Sequence, residues 1–206
     1  PVKAFSDNYI WLLCGEDNIC AVVDPGDDEP VLETLREKGL DLRYILLTHH
    51  HPDHTGGVRD RKKTGHVTVF GPDDPRMPFV DRVCRENDVV SLPELGARFR
   101  VIEVPAHTSS HIAFYGHGVL FSGDTLFNAG AGNCHNGGHP EELYETFSQQ
   151  LDALDPNTLL YPGHDYLVNN LEFTLDREPD NTAARVMLDQ YRNQDPDDAL
   201  VTTLAQ

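Results

Sequence analysis

RYILLTHHHPDH, residues 43–54, is the stretch on which the reading of this chain turns. RYILLT (43–48) is an apolar, β-branched run of the kind that forms a buried strand, and four candidate metal ligands follow within six positions of its end. Open α/β sheets place their chemistry at the C-terminal ends of their strands. In extended chain His49 and His51 point the same way and can converge on one ion, while His50 turns aside. Pro52 suits the first turn of a helix, and beyond it Asp53 and His54 are immediate neighbours facing another direction. One short segment can therefore serve two adjacent ions.

A lone histidine is ordinarily a packed or solvated side chain. This run differs in its ligand density, in a mix of imidazole and carboxylate that suits zinc or iron, and in three further candidates downstream. His107 in VPAHTSSH follows the strand-like RFRVIEV, Asp124 in FSGDTLF follows VLFS, and His164 in YPGHD follows TLLY. The same layout of apolar strand, small residue or proline, then ligand occurs four times. His111 of HTSSHI reads as a supporting or core residue, and His66 and His117 as solvent-facing. Asp24 of VVDPG follows a strand and can orient a ligand histidine, because such histidines donate their second N–H to an acceptor; a plain turn aspartate is the competing reading.

Working outward, YIWLLC and ICAVVD predict a hairpin across GEDN, and DEPVLETLREKG predicts a helix. HVTVFG, DVVSLP, RFRVIEV, HIAFYG and VLFSG alternate with Gly and Pro turns. PEELYETFSQQLDAL reads as an amphipathic helix, TLLY as a strand, and two more helices end the chain. The expectation is α/β: two strand-rich halves, each finished by helices, in a four-layer αβ/βα sandwich.

The 206 residues carry no linker, repeat or low-complexity tract, so the expectation is a single domain over 1–206, with C-terminal helices from about 166 packing by the active site. With 34 acidic and 16 basic residues the net charge is −18, which repels nucleic acid and anionic membranes. Aspartate dominates, 22 against 12 glutamates, and a surface of that kind suits a high-salt cytoplasm, with an ordinary acidic protein as the competing reading. Cys14, Cys20, Cys84 and Cys134 form no C-x-x-C pair and are expected as reduced thiols. No apolar run reaches transmembrane length and no signal-peptide pattern is present, so a cytoplasmic location is expected. The oligomeric state is not legible.

THHHPDH, PAHTSSHI, SGDTLF and YPGHDY together resemble the metallo-β-lactamase superfamily, and AFSDNYIWLL with NLEFTLDREPDN resembles its glyoxalase II branch, the hydroxyacylglutathione hydrolases. The resemblance spans roughly residues 1 to 190. It implies one metal held by His49, His51 and His107, a second held by Asp53, His54 and His164, and Asp124 bridging them beside a shared hydroxide. It further implies substrate contacts at Asn133 and His135, which stand where the branch carries a basic residue and an aromatic, and at Tyr166, which matches a family tyrosine that contacts glutathione. The basic residues that longer members carry near the C-terminus have no counterpart in the acidic NQDPDDALVTTLAQ.

Two divalent ions about 3.5 Å apart make hydroxide available at neutral pH and polarise a carbonyl. A thiolate leaving group, with a conjugate acid near pKa 8.5, departs without a strong protein acid. The expected activity is therefore metal-dependent hydrolysis of a thioester of glutathione or a related small thiol, with Asp53 both binding metal and orienting the hydroxide. The alternatives are a persulfide dioxygenase with a single iron, a lactone or ester hydrolase of the same fold, and a non-catalytic member, the last disfavoured because every ligand position holds a competent residue. Zinc is the first expectation for the two ions, with iron or manganese accepted by the same His/Asp donors.

Overall fold

The structure, a computed structural model, describes residues 1–63, 66–192 and 199–206. Six strands form the first sheet in chain order: β1 (Val2–Ala4), β2 (Asn8–Cys14), β3 (Ile19–Val23), β4 (Asp41–Leu46), β5 (Thr68–Pro72) and β6 (Arg82–Cys84). Strands β1 to β3 are antiparallel neighbours, and β3 to β6 run parallel. The second half supplies β7 (Val89–Leu92), β8 (Ala97–Glu103), β9 (Ile112–Gly116) and β10 (Val119–Gly123), the small hairpin β11 (Leu126–Phe127) and β12 (Gly130–Ala131), then β13 (Leu159–Pro162) and β14 (Thr202–Thr203). The second sheet has the order β14-β13-β10-β9-β8-β7.

The helices are α1 (Asp28–Lys38), α2 (Pro52–Thr55), α3 (Val58–Lys63), α4 (Pro140–Glu145), α5 (Leu167–Arg177) and α6 (Thr182–Tyr191). Helix α1 forms where its signals say it should. Asp27 caps it by accepting from the Glu29 N–H, acidic residues fill its first turn and Arg36 and Lys38 its last. Gly39, at φ 63°, ends it in the left-handed conformation that glycine adopts without a Cβ penalty. Its Val31 and Leu35 pack on the outer face of the first sheet.

Strand alternation builds the layers. Tyr9 and Trp11 of β2 face the second sheet, where they meet Phe99 and Val101 of β8 and Phe114 of β9, while Ile10 turns outward to α1. On the far side Ile102, Leu120 and Leu160 pack against Leu151 and Leu154. The layers are helix, sheet, sheet, helix, as the sequence predicts. Each such buried side chain contributes roughly 1.5–3 kcal/mol.

Two details depart from the sequence reading. PEELYETFSQQLDAL is not one regular helix: α4 gives way to a π-helical segment, Thr146–Leu151, where the buried Thr146 hydroxyl donates to the Pro105 carbonyl at 3.2 Å. The short strands β1, β6 and β14 and the hairpin of β11 and β12 have no counterpart in the sequence expectation, because two or three residues show no period. Among the described residues no helix is long and apolar enough to cross a membrane.

Candidate metal centre

Strands β8, β10 and β13 of the second sheet run in the same direction, so the loops that follow them leave from one edge. His107, Asp124 and His164 stand on those loops, and the histidine run after β4 meets them there. Nε2 of His49 lies 3.0 Å from Nδ1 of His51, which lies 3.1 Å from Nε2 of His107. Oδ2 of Asp124 stands 3.5 Å from Nε2 of His107 and 4.0 Å from Nε2 of His49. A second set adjoins it: Nε2 of His54 and of His164 are 3.3 Å apart, and Oδ2 of Asp53 is 3.5 Å from the first and 3.4 Å from the second. Asp124 reaches this set too, with Oδ1 3.3 Å from His54 and Oδ2 3.3 Å from His164.

These spacings fit metal ions. Four donors at 2.0–2.1 Å in a tetrahedron lie about 3.3 Å from one another. The orientation of the rings points the same way, because acceptors at the opposite nitrogens hold one N–H outward. Nδ1 of His54 donates to Asp24 at 3.1 Å, Nδ1 of His164 to Asp7 at 2.7 Å, Nδ1 of His107 to the Asn133 carbonyl at 2.9 Å, and Nδ1 of His49 to the Thr48 hydroxyl at 3.0 Å. Each ring thereby aims Nε2 at its cluster. Lone pairs that converge at 3.0–3.3 Å repel unless a proton or a cation lies between them, and Oδ1 of Asp124 is buried with no hydrogen-bond partner.

The two sets differ electrostatically. Burial, reinforced by neighbouring rings, holds His49 well below the usual histidine range and pushes His51 down to about 4. His54 and His164 are also opposed by burial, but Asp124, with Asp24 for the one and Asp53 and Asp7 for the other, overrules it: His54 lies well above the ordinary value and His164 at about 10. Burial disfavours the charge on Asp53, yet His164, His54 and Asn8 keep its carboxyl well below the usual range.

Local backbone delivers these side chains. Asp24, at φ 51°, sits in a strained left-handed turn after β3 and accepts from the Thr48 N–H, the Thr48 hydroxyl and His54. His111 is buried as the sequence suggests, stacked on His49 at 4.6 Å and accepting the Asp124 N–H at 3.1 Å. His50 turns aside, 3.6 Å from Asp74, and Gly163 is required because a Cβ there would stand 2.4 Å from Oδ1 of Asp124. His66 and His117 are exposed, and His117 accepts the Arg98 N–H.

Tyr166 lies flat on His164, with ring centroids 4.9 Å apart and planes at 7°. Asn133 reaches the centre through its carbonyl, while its side chain accepts the His135 N–H. His135 itself is exposed. Asp7, Asn8 and Thr48 orient His164, Asp53 and His49, roles absent from the sequence expectation. Their signal was slight: polar side chains directly before or after an apolar strand, here the Ser-Asp-Asn before YIWLLC. Residues 193–198 of the acidic C-terminal stretch lie outside the described residues.

The sequence model of the metallo-beta-lactamase superfamily matches residues 5–164. A hydroxyacylglutathione hydrolase of Methylobacillus flagellatus is 46% identical over 183 residues, which cover 89% of this chain and 72% of that protein. Among solved structures, ETHE1 from Myxococcus xanthus aligns at a TM-score of 0.67 with 30% identity, over 78% of this chain and 72% of that one. TTHA1623 in a di-iron-bound form aligns at 0.66 with 29% identity, over 80% and 91%. The edge-of-sandwich His/Asp centre and these matches agree: the chain belongs to the metallo-beta-lactamase superfamily and, within it, to the family of the hydroxyacylglutathione hydrolases.

Proposed function

We propose that the chain hydrolyses a thioester of glutathione or a related small thiol, using two divalent cations, the first held by His49, His51 and His107, the second by Asp53, His54 and His164, with Asp124 shared. The observation that carries this reading is Asp124 itself, whose Oδ2 is 3.5 Å from His107 of one set and 3.3 Å from His164 of the other. When bound, such a pair of cations lowers the pKa of water toward neutrality and polarises an acyl carbonyl. Zinc suits these donors, and iron is supported by the di-iron form of the TTHA1623 structure.

The chain's own groups have separable tasks. Asp53, like His51, is only partly buried, its side chain 39% accessible, so it faces the approaching substrate. Asn8 donates to its Oδ2 at 3.0 Å and leaves its other oxygen to accept a hydrogen bond from the attacking water, orienting it. The buried His49, His54 and Asp124 keep solvent from the opposite side. Burial first, then Asp7, pushes the Tyr166 hydroxyl up to about 12, so it stays a neutral hydrogen-bond donor beside His164. The leaving thiolate takes its proton from solvent.

The dioxygenase alternative needs one iron and leaves Asp53, His54 and His164 without metal. Elemental analysis of natively purified protein, with an activity screen across S-lactoyl-glutathione, other thioesters, lactones and glutathione persulfide, separates the readings. Near two ions per chain with thioester turnover supports hydrolysis; near one iron with oxygen consumption on the persulfide overturns it.

A further inference from the structure

Cys14 and Cys20 close the hairpin between β2 and β3, where they are directly paired across the strands. The next pair toward the turn is joined by the bond from the Gly15 N–H to the Ile19 carbonyl, 2.9 Å. Antiparallel pairs alternate, so Cys14 and Cys20 are a non-hydrogen-bonded pair, whose Cα atoms lie about 4.5 Å apart with side chains on the same face. That separation is within the roughly 4.4–6.8 Å that a disulfide spans. The turn is a short one with Asp17 and Asn18 both left-handed, at φ 59° and 61°, which fixes the register of the two cysteines. Cys14 is exposed and Cys20 fully buried under α1 and the outer apolar layer.

We propose that Cys14 and Cys20 are a redox modification site: a reversible disulfide formed by exchange with low-molecular-weight disulfides, glutathione disulfide among them. The Cys14 thiolate attacks one sulfur of the small disulfide, whose S–S bond breaks and releases one thiol. Cys20 then loses its proton and attacks Sγ of Cys14, forming the internal bond and expelling the second small thiol. Two protein thiols are oxidised, one disulfide is reduced to two thiols, and the protons balance. Exposure dictates the order, because burial pushes the Cys20 thiol up to about 12 while Cys14 meets solvent. The site lies at the far end of β2 from Asn8 and is independent of the metal chemistry.

The test exposes metal-loaded protein to glutathione disulfide and glutathione in steps from reducing to oxidising, quenches with acid, alkylates in denaturant and maps peptides without reduction. Cys14 and Cys20 should lose alkylation together and appear as one cross-linked peptide, reversed by dithiothreitol, while Cys84 and Cys134 stay alkylatable. Cys20→Ala should stop at a glutathione adduct on Cys14, and Cys14→Ser, an exposed change that the core tolerates, should leave Cys20 reduced throughout. A wild-type adduct on Cys14 with Cys20 still alkylatable at every ratio, a cross-link to Cys84 or Cys134, or oxidation of Cys20 in Cys14→Ser would each overturn the assignment.

Discussion

Asp7 and His164 are 157 positions apart in the sequence and 2.7 Å apart in the fold, Oδ1 of the aspartate accepting the Nδ1–H of the imidazole. That bond aims Nε2 of His164 at Asp53 and His54. Asp7→Ala should weaken the second ion about 10–100-fold and leave the first nearly unchanged, as loss of an orienting partner generally does. Competitive zinc titration with a chelator would show it; equal loss at both sites would mean that Asp7 acts on the whole fold.

Asp124→Asn and His51→Ala should abolish turnover in a chain that remains folded. The sandwich core stands without the centre, so near-ultraviolet circular dichroism and a cooperative melt should persist. Wild-type turnover in Asp124→Asn would remove the basis for the shared carboxylate.

A more selective disturbance comes from Gly163→Ala. Its new Cβ would press on Oδ1 of Asp124 at 2.4 Å and on Cε1 of His54 at 2.7 Å. Oδ1 of the shared Asp124 is the oxygen that faces His54 of the second set, so that ion should be lost first and metal content should fall from near two toward one per chain. Retention of two ions with full activity would show that the loop shifts freely.

Metal binding should depend on pH differently at the two sets. In the metal-free chain His51 titrates near 4 and is a free base at neutral pH, whereas His164, raised to about 10, still carries a proton that a cation must displace. Lowering the pH from 8 to 6 should therefore weaken the Asp53/His54/His164 site about tenfold per unit for each proton displaced, with less effect on the other. Calorimetry in buffers of different ionisation enthalpy counts those protons; equal release at both steps would contradict this asymmetry.

Asn133 offers a gain of function. Its carbonyl holds His107, and a side-chain change leaves that carbonyl in place. Asn133→Arg should lower KM for S-lactoyl-glutathione with kcat little changed, because a charge-assisted hydrogen bond contributes roughly 1.5–3 kcal/mol, about tenfold to a hundredfold in affinity. Cys134→Ser should change little. An unmoved KM would show that residue 133 does not face the thiol carrier.

The sequence by itself determined the layered α/β architecture, the hairpin, α1 and the strands that precede each ligand, because period-two apolar alternation and capping residues are local properties of the chain. It also determined which side chains are chemically able to hold metal. Only the tertiary structure decided which of them meet. That Asp124 stands between two donor sets follows from β10 pairing in parallel with β13 and from the two sheets packing face to face. The same packing brings Asp7 to His164 and Asn8 to Asp53, pairings that no local pattern specifies. The pairing of Cys14 with Cys20 lies between these cases: the turn was legible, but the strand register that sets the two sulfurs on one face is a property of the folded hairpin.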